Sequence, residues 1–319
     1  MKKFLLFTLL LTFTIFQSCQ EEQAVTIEDA ANYFNDNQFE KALTTAEEVL
    51  EDNPQDYFAW TIKGRSLFAL NKPIKGIEAM NEAIKLNPEY FQAYAYRGTM
   101  YKDIGENQKA LKDINAAIKN DSVNLDLVRI QANTLYSLGE NETAIEKFNQ
   151  LISLNDNDEE SYVYRAILNK RLRNYDSVLV DLEKAIEINP DYDFAYEARA
   201  DFLTYSLGDN FSQAIDDYTK VITLNENIPT KTQAFLYNNR GFAKYQAQDF
   251  DSALEDINTS IELFSENAYA YKNRALVHLA SANTEAMCTD LAKAKALGFE
   301  EKYGQEVNIL LEENCGKNL

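Results

Sequence analysis

Small and apolar residues return along this chain at a fixed interval of thirty-four. Gly64 recurs as Gly98, Ala132, Ala166 and Ala200, and one step earlier as Ala30. A second column reads Ala42, Gly76, Ala110, Ala144 and Val178, and a third reads Val49, Ala83, Ala117, Leu151 and Ala185. This period predicts stacked pairs of antiparallel helices. Small side chains at each crossing let the backbones approach, and a lone pair, unable to bury its apolar face, needs neighbours. All five prolines fall at predicted turns: Pro54, Pro88 and Pro190 between repeats, Pro73 between two helices of one repeat, and Pro229 in an insertion. None would interrupt a helix interior.

An aromatic residue holds the fourth place of most repeats, as Trp60, Tyr94, Tyr162, Tyr196, Tyr237 and Tyr271, with Thr26 and Val128 departing. With the small columns and the closing prolines, the pattern resembles the tetratricopeptide repeat (TPR). The turn is less well specified where Ser122, Asp156 and Ser265 replace the proline. The resemblance implies an all-α fold, a right-handed α-solenoid of about eight helix pairs over residues 23–301. The repeats start at Gln23, Tyr57, Phe91, Leu125, Glu159, Asp193, Ala234 and Ala268. The sixth carries two extra residues around Leu207-Gly208-Asp209-Asn210 and five more near Asn225 to Gln233, either plain surface loops or loops that shape a binding edge. Residues 302–319 form a capping helix and tail, with Val307, Leu310 and Leu311 on the apolar face of a helix from Lys302 to Asn314.

The N-terminal segment follows a different pattern. Lys2 and Lys3 precede an uncharged apolar run from Phe4 to Phe16, too short for a membrane span of about twenty residues and shaped like an export signal. It closes on Phe16-Gln17-Ser18-Cys19, which resembles the lipobox of bacterial lipoproteins, although Phe16 and Gln17 depart from the usual Leu-Ala pair. That resemblance implies removal of residues 1–18, acylation of Cys19 and an acidic tether over residues 19–22. The membrane would then be met through the lipid anchor alone. Gln20 resembles outer-membrane sorting, and Glu21 and Glu22 resemble the acidic tag of surface lipoproteins. The expected address is the cell envelope, anchored in the outer membrane and facing the periplasm or the surface.

Charge narrows the partners. The net charge is −20, and loss of Lys2 and Lys3 with a leader leaves −22, a surface that repels phosphate backbones and anionic headgroups. Nucleic acid is therefore excluded, and basic proteins or peptides of the envelope are favoured. One histidine, His278, and the absence of metal-protease, nucleophile-elbow and phosphate-loop motifs leave no catalytic residue, metal site or cofactor to assign.

In TPR proteins the first helices line a concave groove through their second, fifth, ninth, twelfth and thirteenth positions. Carried over, these give a mixed N-terminal set that includes Phe34, Phe58, Arg65 and Phe68. The middle set is polar, with Lys102, Arg129, Asn133, Tyr136, Lys170 and Arg171. The C-terminal set contains Phe194, Tyr205, Phe235, Asn238, Phe242, Tyr245, Tyr269 and Lys272. Aromatic anchors beside polar groups suit an extended peptide, so the C-terminal set is the expected partner-binding site. The alternative is that these rings meet the insertion or a lipid-proximal partner. Asn239-Arg240-Gly241 and Asn273-Arg274-Ala275 follow the repeat consensus and do not assemble a carboxylate clamp. The rings at position four are expected in the core, together with Phe39, Tyr175, Phe211 and Phe250.

Cys288 opens the second helix of the eighth repeat, and Cys315 follows the capping helix. Running antiparallel to its predecessor, that helix returns to the level of Cys288. A disulfide is expected, against two reduced thiols buried as small hydrophobes. The function implied is a non-catalytic scaffold or adaptor tethered to the bacterial envelope, with a structural subunit of an outer-membrane assembly or secretion machine as the alternative.

Overall fold

A computed structural model describes residues 25–120, 124–224 and 228–316. Cys19 and the segment before it lie outside the described residues, as do residues 225–227 of the expected insertion. Every regular element among the described residues is helical. None of these helices is long and apolar enough to cross a membrane.

The chain divides into two compact bodies, residues 1–120 and 121–319. The first holds three helix pairs: α1 (Ile27–Asn35) with α2 (Phe39–Asp52), α3 (Tyr57–Ala69) with α4 (Pro73–Leu86), and α5 (Phe91–Asp103) with α6 (Asn107–Ile118). The second holds five. They are α7 (Leu125–Leu138) with α8 (Asn141–Leu154), α9 (Glu159–Arg171) with α10 (Val178–Ile188), α11 (Asp193–Phe202) with α12 (Phe211–Leu224), α13 (Thr230–Gln246) with α14 (Phe250–Leu263), and α15 (Ala268–Ala280) with α16 (Thr284–Ala296). Two short helices follow, α17 (Phe299–Tyr303) and α18 (Glu306–Asn314).

Six first helices begin where the thirty-four-residue frame places them, and two do not. α1 starts at Ile27 because Thr26 caps it: the Thr26 side chain accepts from the Asp29 N–H, and the Asp29 carboxylate accepts from the Thr26 N–H at 2.9 Å. α13 starts at Thr230, one turn early, directly after Pro229. Part of the insertion therefore lengthens a helix.

Turn chemistry repeats with the helices. Asn53, Asn87 and Asn189 stand before the closing prolines, and each side-chain oxygen accepts from the N–H two residues on, at 3.1–3.2 Å. Asn155 makes the same bond at 3.2 Å although Asp156 has replaced the proline. The turn expected to be loosely specified there is thus held by its asparagine. Within repeats, the connection needs one left-handed residue, supplied by Asn37, Asn71, Gly105, Gly139, Arg173, Gln248 and Ala282. In the sixth repeat α11 widens into a π-helical turn, Leu203–Leu207, before Gly208 reverses the chain at φ 65°. A π turn is a common way to take up extra residues, and here it does so next to a candidate binding surface.

The small-residue columns mark real close approaches. A Cβ added to Gly76 would stand 2.9 Å from the Gly64 carbonyl oxygen, and one added to Gly241 would stand 2.7 Å from Ile257 Cγ1. Ala30, Ala42, Ala110, Ala132, Ala144, Ala166, Ala185 and Ala200 are fully buried at these crossings.

A charged lattice accompanies them. Arg97 pairs with Asp113, Arg165 with Asp181, Arg199 with Asp217, Arg240 with Asp256 and Arg274 with Asp290, each through two hydrogen bonds of 2.6–2.9 Å. These aspartates are buried. Over each guanidinium lies the position-four tyrosine of the same repeat, at 5.2–5.7 Å from its ring centre. This corrects the expectation that those rings are core: Tyr94, Tyr162, Tyr196, Tyr237 and Tyr271 are half-buried. They shield an ion pair on one side and remain partly open to solvent, as amphipathic rings do. Two such rings also donate to the closing turn, Trp60 to the Pro54 carbonyl at 3.0 Å and Tyr196 to the Pro190 carbonyl at 3.1 Å.

The C-terminal cap differs from the single helix expected from Lys302 to Asn314. Gly304, at φ 100°, separates α17 from α18, and α17 itself begins after Gly298 at φ 76°. Only Glu306 onward forms the capping helix. Phe299 and Val307 are fully buried in a cluster with Met287 and Leu291, and Leu310 and Leu311 pack against it. Cys288 and Cys315 are joined, their Cα atoms 5.8 Å apart, which ties the end of α18 to α16.

Candidate functional site

The candidate surface runs across the first helices of residues 121–319. The positions carried over from the TPR resemblance fall into three groups on it.

The central group is a strip on α11, α13 and α15. The Tyr205 ring, on the π turn, stacks on Phe242 with centroids 5.5 Å apart, and Phe242 in turn faces Tyr245 at 5.9 Å. The Tyr205 hydroxyl donates to Asn239 Oδ1 at 3.1 Å, which fixes the ring across two repeats. Burial pushes the Tyr205 hydroxyl far above its ordinary pKa, so it stays a donor at any relevant pH. Its residue as a whole is nevertheless 44% exposed, leaving part of the ring open to a partner. Beside the rings runs a chain of amides. Asn273 donates to Asn238 Oδ1 at 3.0 Å, and Asn238 donates to Asn239 Oδ1 at 3.1 Å.

Two members of this group are not available as expected. Asn238 is buried, because its amide is used inside the ladder. Lys272 is buried too: its ammonium pairs with Glu306 of α18 at 2.8 Å and lies 5.5 Å from the Phe242 ring centre and 5.6 Å from that of Tyr269. Tyr269 also meets Tyr303 edge-on at 4.8 Å and Phe299 at 5.4 Å. α17 and α18 therefore sit over the eighth repeat's share of the surface, and Tyr205, Phe242 and Tyr245 are the rings they leave accessible.

Phe235 belongs elsewhere. It packs against Phe264 at 6.1 Å, over which Lys231 also lies, toward the N-terminal end of α13. Phe194 forms the third group. Its ring meets Tyr164 at 6.0 Å and Tyr192 at 6.2 Å and lines a recess between α9, α10 and α11 of about 370 Å³. Lys170 and Arg171 line the same recess, as do Glu197 and Asp201. Sequence reasoning missed the two acids, although they occupy the fifth and ninth positions of their repeat. Neither is an aromatic anchor, and the register is the one signal in the sequence that places them on this surface. Burial raises the pKa of both carboxyls, and for Glu197 the nearby Asp201 and Asp193 charges raise it further. The Tyr218 hydroxyl donates to Asp201 at 2.5 Å, and the Lys170 charge partly offsets its burial.

No group of His, Cys, Asp and Glu side chains among the described residues is arranged to hold a metal ion. The lone His278 has Nε2 3.7 Å from Asp290, at the edge of the repeating Arg–Asp lattice.

Residues 15–162 match the family model of the cytochrome c-type biogenesis protein H TPR domain. Among curated proteins, the chain is 27% identical over 169 residues to DnaJ protein P58IPK homolog B of rice, covering 50% of this chain and 32% of that protein. It is 28% identical over 141 residues to human tetratricopeptide repeat protein 13, covering 44% and 14% respectively. The chain thus spans about a third or less of the length of these relatives. Among solved structures, a tetratricopeptide repeat protein from Parabacteroides merdae superposes with a TM-score of 0.61 at 21% identity, over 80% of this chain and 98% of that one. The Cut9 and Hcn1 hetero-tetramer of the APC/C gives 0.59 at 17% identity, over 87% and 54%. Residues 15–162 are thus similar to a tetratricopeptide-repeat domain, and the chain has the fold of tetratricopeptide-repeat solenoid proteins.

Proposed function

We propose that this protein is a non-catalytic scaffold whose first-helix surface in residues 121–319 receives extended segments of partner proteins. The observation that carries the reading is the strip of Tyr205, Phe242 and Tyr245, three rings packed in series through Phe242 with an amide ladder beside them. Rings fixed in this way offer apolar contact at little ordering cost, which is what binding anchors require. The net charge of −20 favours basic partners. With Cys19 acylated, the scaffold is tethered to the outer membrane of a bacterial envelope and gathers proteins there, facing the periplasm or the surface.

The test pairs chemical crosslinking in membranes with the double variant F242A/Y245A. Partner capture should fall at least tenfold while helical content is kept, a loss of about 1.4 kcal/mol or more. Unchanged capture by a folded double variant overturns the reading. Tethering is checked separately by intact mass of membrane-extracted protein, which should show an acyl increment on a chain that starts at Cys19. A mature N-terminus elsewhere rejects the anchor and leaves the scaffold standing.

A further inference from the structure

The recess beside the strip has a chemistry of its own. Ala166, Ile167, Val178, Leu182 and Ala198 give it apolar walls, and Phe194 and Tyr175 add two aromatic edges. Glu197 and Asp201, one helical turn apart on α11, place two carboxylates among these groups. Their counter-charges are incomplete. Among the described residues Glu197 has no hydrogen bond or ion pair, and the charges that act on it, Asp201 and Asp193, are both negative. Asp201 receives the Tyr218 hydroxyl, and the Lys170 ammonium influences it without forming an ion pair.

The remaining cation is already engaged. Arg171 donates to the Tyr136 hydroxyl at 2.6 Å and lies 4.1 Å from that ring's centre, which draws its guanidinium toward α7. A part-buried carboxylate with like charges for neighbours is costly to keep ionised, and a ligand bringing positive charge relieves that cost.

We propose that this recess is a side-chain pocket that takes a lysine or arginine of the bound segment, its aliphatic stem against Phe194, Ile167 and Ala198 and its charged end at Glu197 and Asp201. The proposal rests on the peptide-binding reading above and adds what that reading lacks, a reason for one residue class to be chosen at one place. A basic side chain fits the walls as well as the charge, because its methylenes bury on apolar surface while its head finds acceptors. An acidic side chain would face two carboxylates. A purely apolar one would leave Glu197 further desolvated and still unpaired.

The test uses four small probes on the full chain: Nα-acetyl-arginine amide, Nα-acetyl-lysine amide, Nα-acetyl-norleucine amide and Nα-acetyl-glutamate amide, followed by saturation-transfer NMR. The two basic amides should bind and the other two should not. E197Q should weaken the basic amides about tenfold, the scale of losing one charge-assisted contact. Glu197 makes no bond that the fold needs, so this variant stays folded. K170M should do the opposite and tighten them, since it removes the competing cation. Equal binding of norleucine, preference for the glutamate probe, no binding of any probe, or indifference of the basic amides to E197Q would each overturn the proposal. The scaffold reading fails separately: it falls if F242A/Y245A leaves capture intact, and it survives if capture is lost in that variant while the pocket shows no preference for basic probes.

Discussion

Two sets of positions on the same first helices of residues 121–319 behave in opposite ways. The fourth and seventh positions, with an aspartate on the second helix, repeat almost unchanged as Tyr162–Arg165–Asp181, Tyr196–Arg199–Asp217, Tyr237–Arg240–Asp256 and Tyr271–Arg274–Asp290. The fifth position reads Val163, Glu197, Asn238 and Lys272, and the ninth reads Ile167, Asp201, Phe242 and Leu276. Each set follows from what it touches. The first packs one repeat against itself and its like neighbour, so one solution serves every copy. The second meets a different neighbour in each repeat, with Val163 in the core, Asn238 in the amide ladder and Lys272 under α18, while Glu197, Asp201 and Phe242 stay partly open, so its residue types differ along the surface. Positions that repeat hold the stack together; positions that vary are where a partner can be read.

The largest effect that would break this comparison lies in the lattice. Asp256→Ala leaves the Arg240 guanidinium, and Lys244 beside it at 2.8 Å from Asp256, without their acceptor, and should cost about 3–5 kcal/mol in urea unfolding. The double variant R240M/D256L should recover most of that loss. If Asp256→Ala is neutral, the lattice is decoration.

Next comes the cap. The Cys288–Cys315 bond closes a separation of 27 residues, for which loop closure amounts to about 3 kcal/mol. Reduction should raise amide exchange in α18 and expose the Lys272–Glu306 contact while α9 keeps its protection. Equal loss throughout residues 121–319 would show that the cap has no independent stability.

The groove strip should weigh more on capture than on stability. F242A/Y245A removes half-buried rings and should lower stability by about 1–3 kcal/mol, less than Asp256→Ala, while accounting for most of the capture. A smaller gain is expected at the turns. Ala282 stands at φ 55°, so Ala282→Gly should raise stability by about 1 kcal/mol by thermal or urea unfolding. The smallest effect concerns Glu197, whose pKa is raised by burial and by its acidic neighbours. The folded chain then holds this proton more tightly than the unfolded chain, so stability falls as pH rises from the ordinary carboxylate value through the raised one. E197Q should flatten that part of the pH profile and leave neutral-pH stability slightly higher.

Much of this architecture was legible in the sequence because it rests on periodic positions. The column from Gly64 to Ala200 places five of the eight first-helix starts, since a close crossing tolerates only small residues wherever it recurs. What escaped depended on pairing. The Arg–Asp lattice recurs as visibly as the glycines, but a ring at a fixed position reads as core until its partner is known. Lys272 and Asn238 sit at groove positions by register, yet α18 and the amide ladder cover them, and register says nothing of what a terminal segment folds back upon. Glu197 and Asp201 are in register, but an acid on a helix reads as a solvated face until the recess around it is known. The split of the cap at Gly304 is a local backbone event that an amphipathic pattern runs straight through.

The central claim is that partners meet the variable first-helix positions and not the outward second-helix surface. A photo-crosslinking residue placed at Phe242 tests it against one placed at Val180, a 63% exposed position on α10, in cells that express the full chain at its native level. The account predicts discrete adducts from Phe242 that disappear when Tyr245 is also changed to alanine, and none from Val180. Adducts from Val180 with none from Phe242 would contradict it.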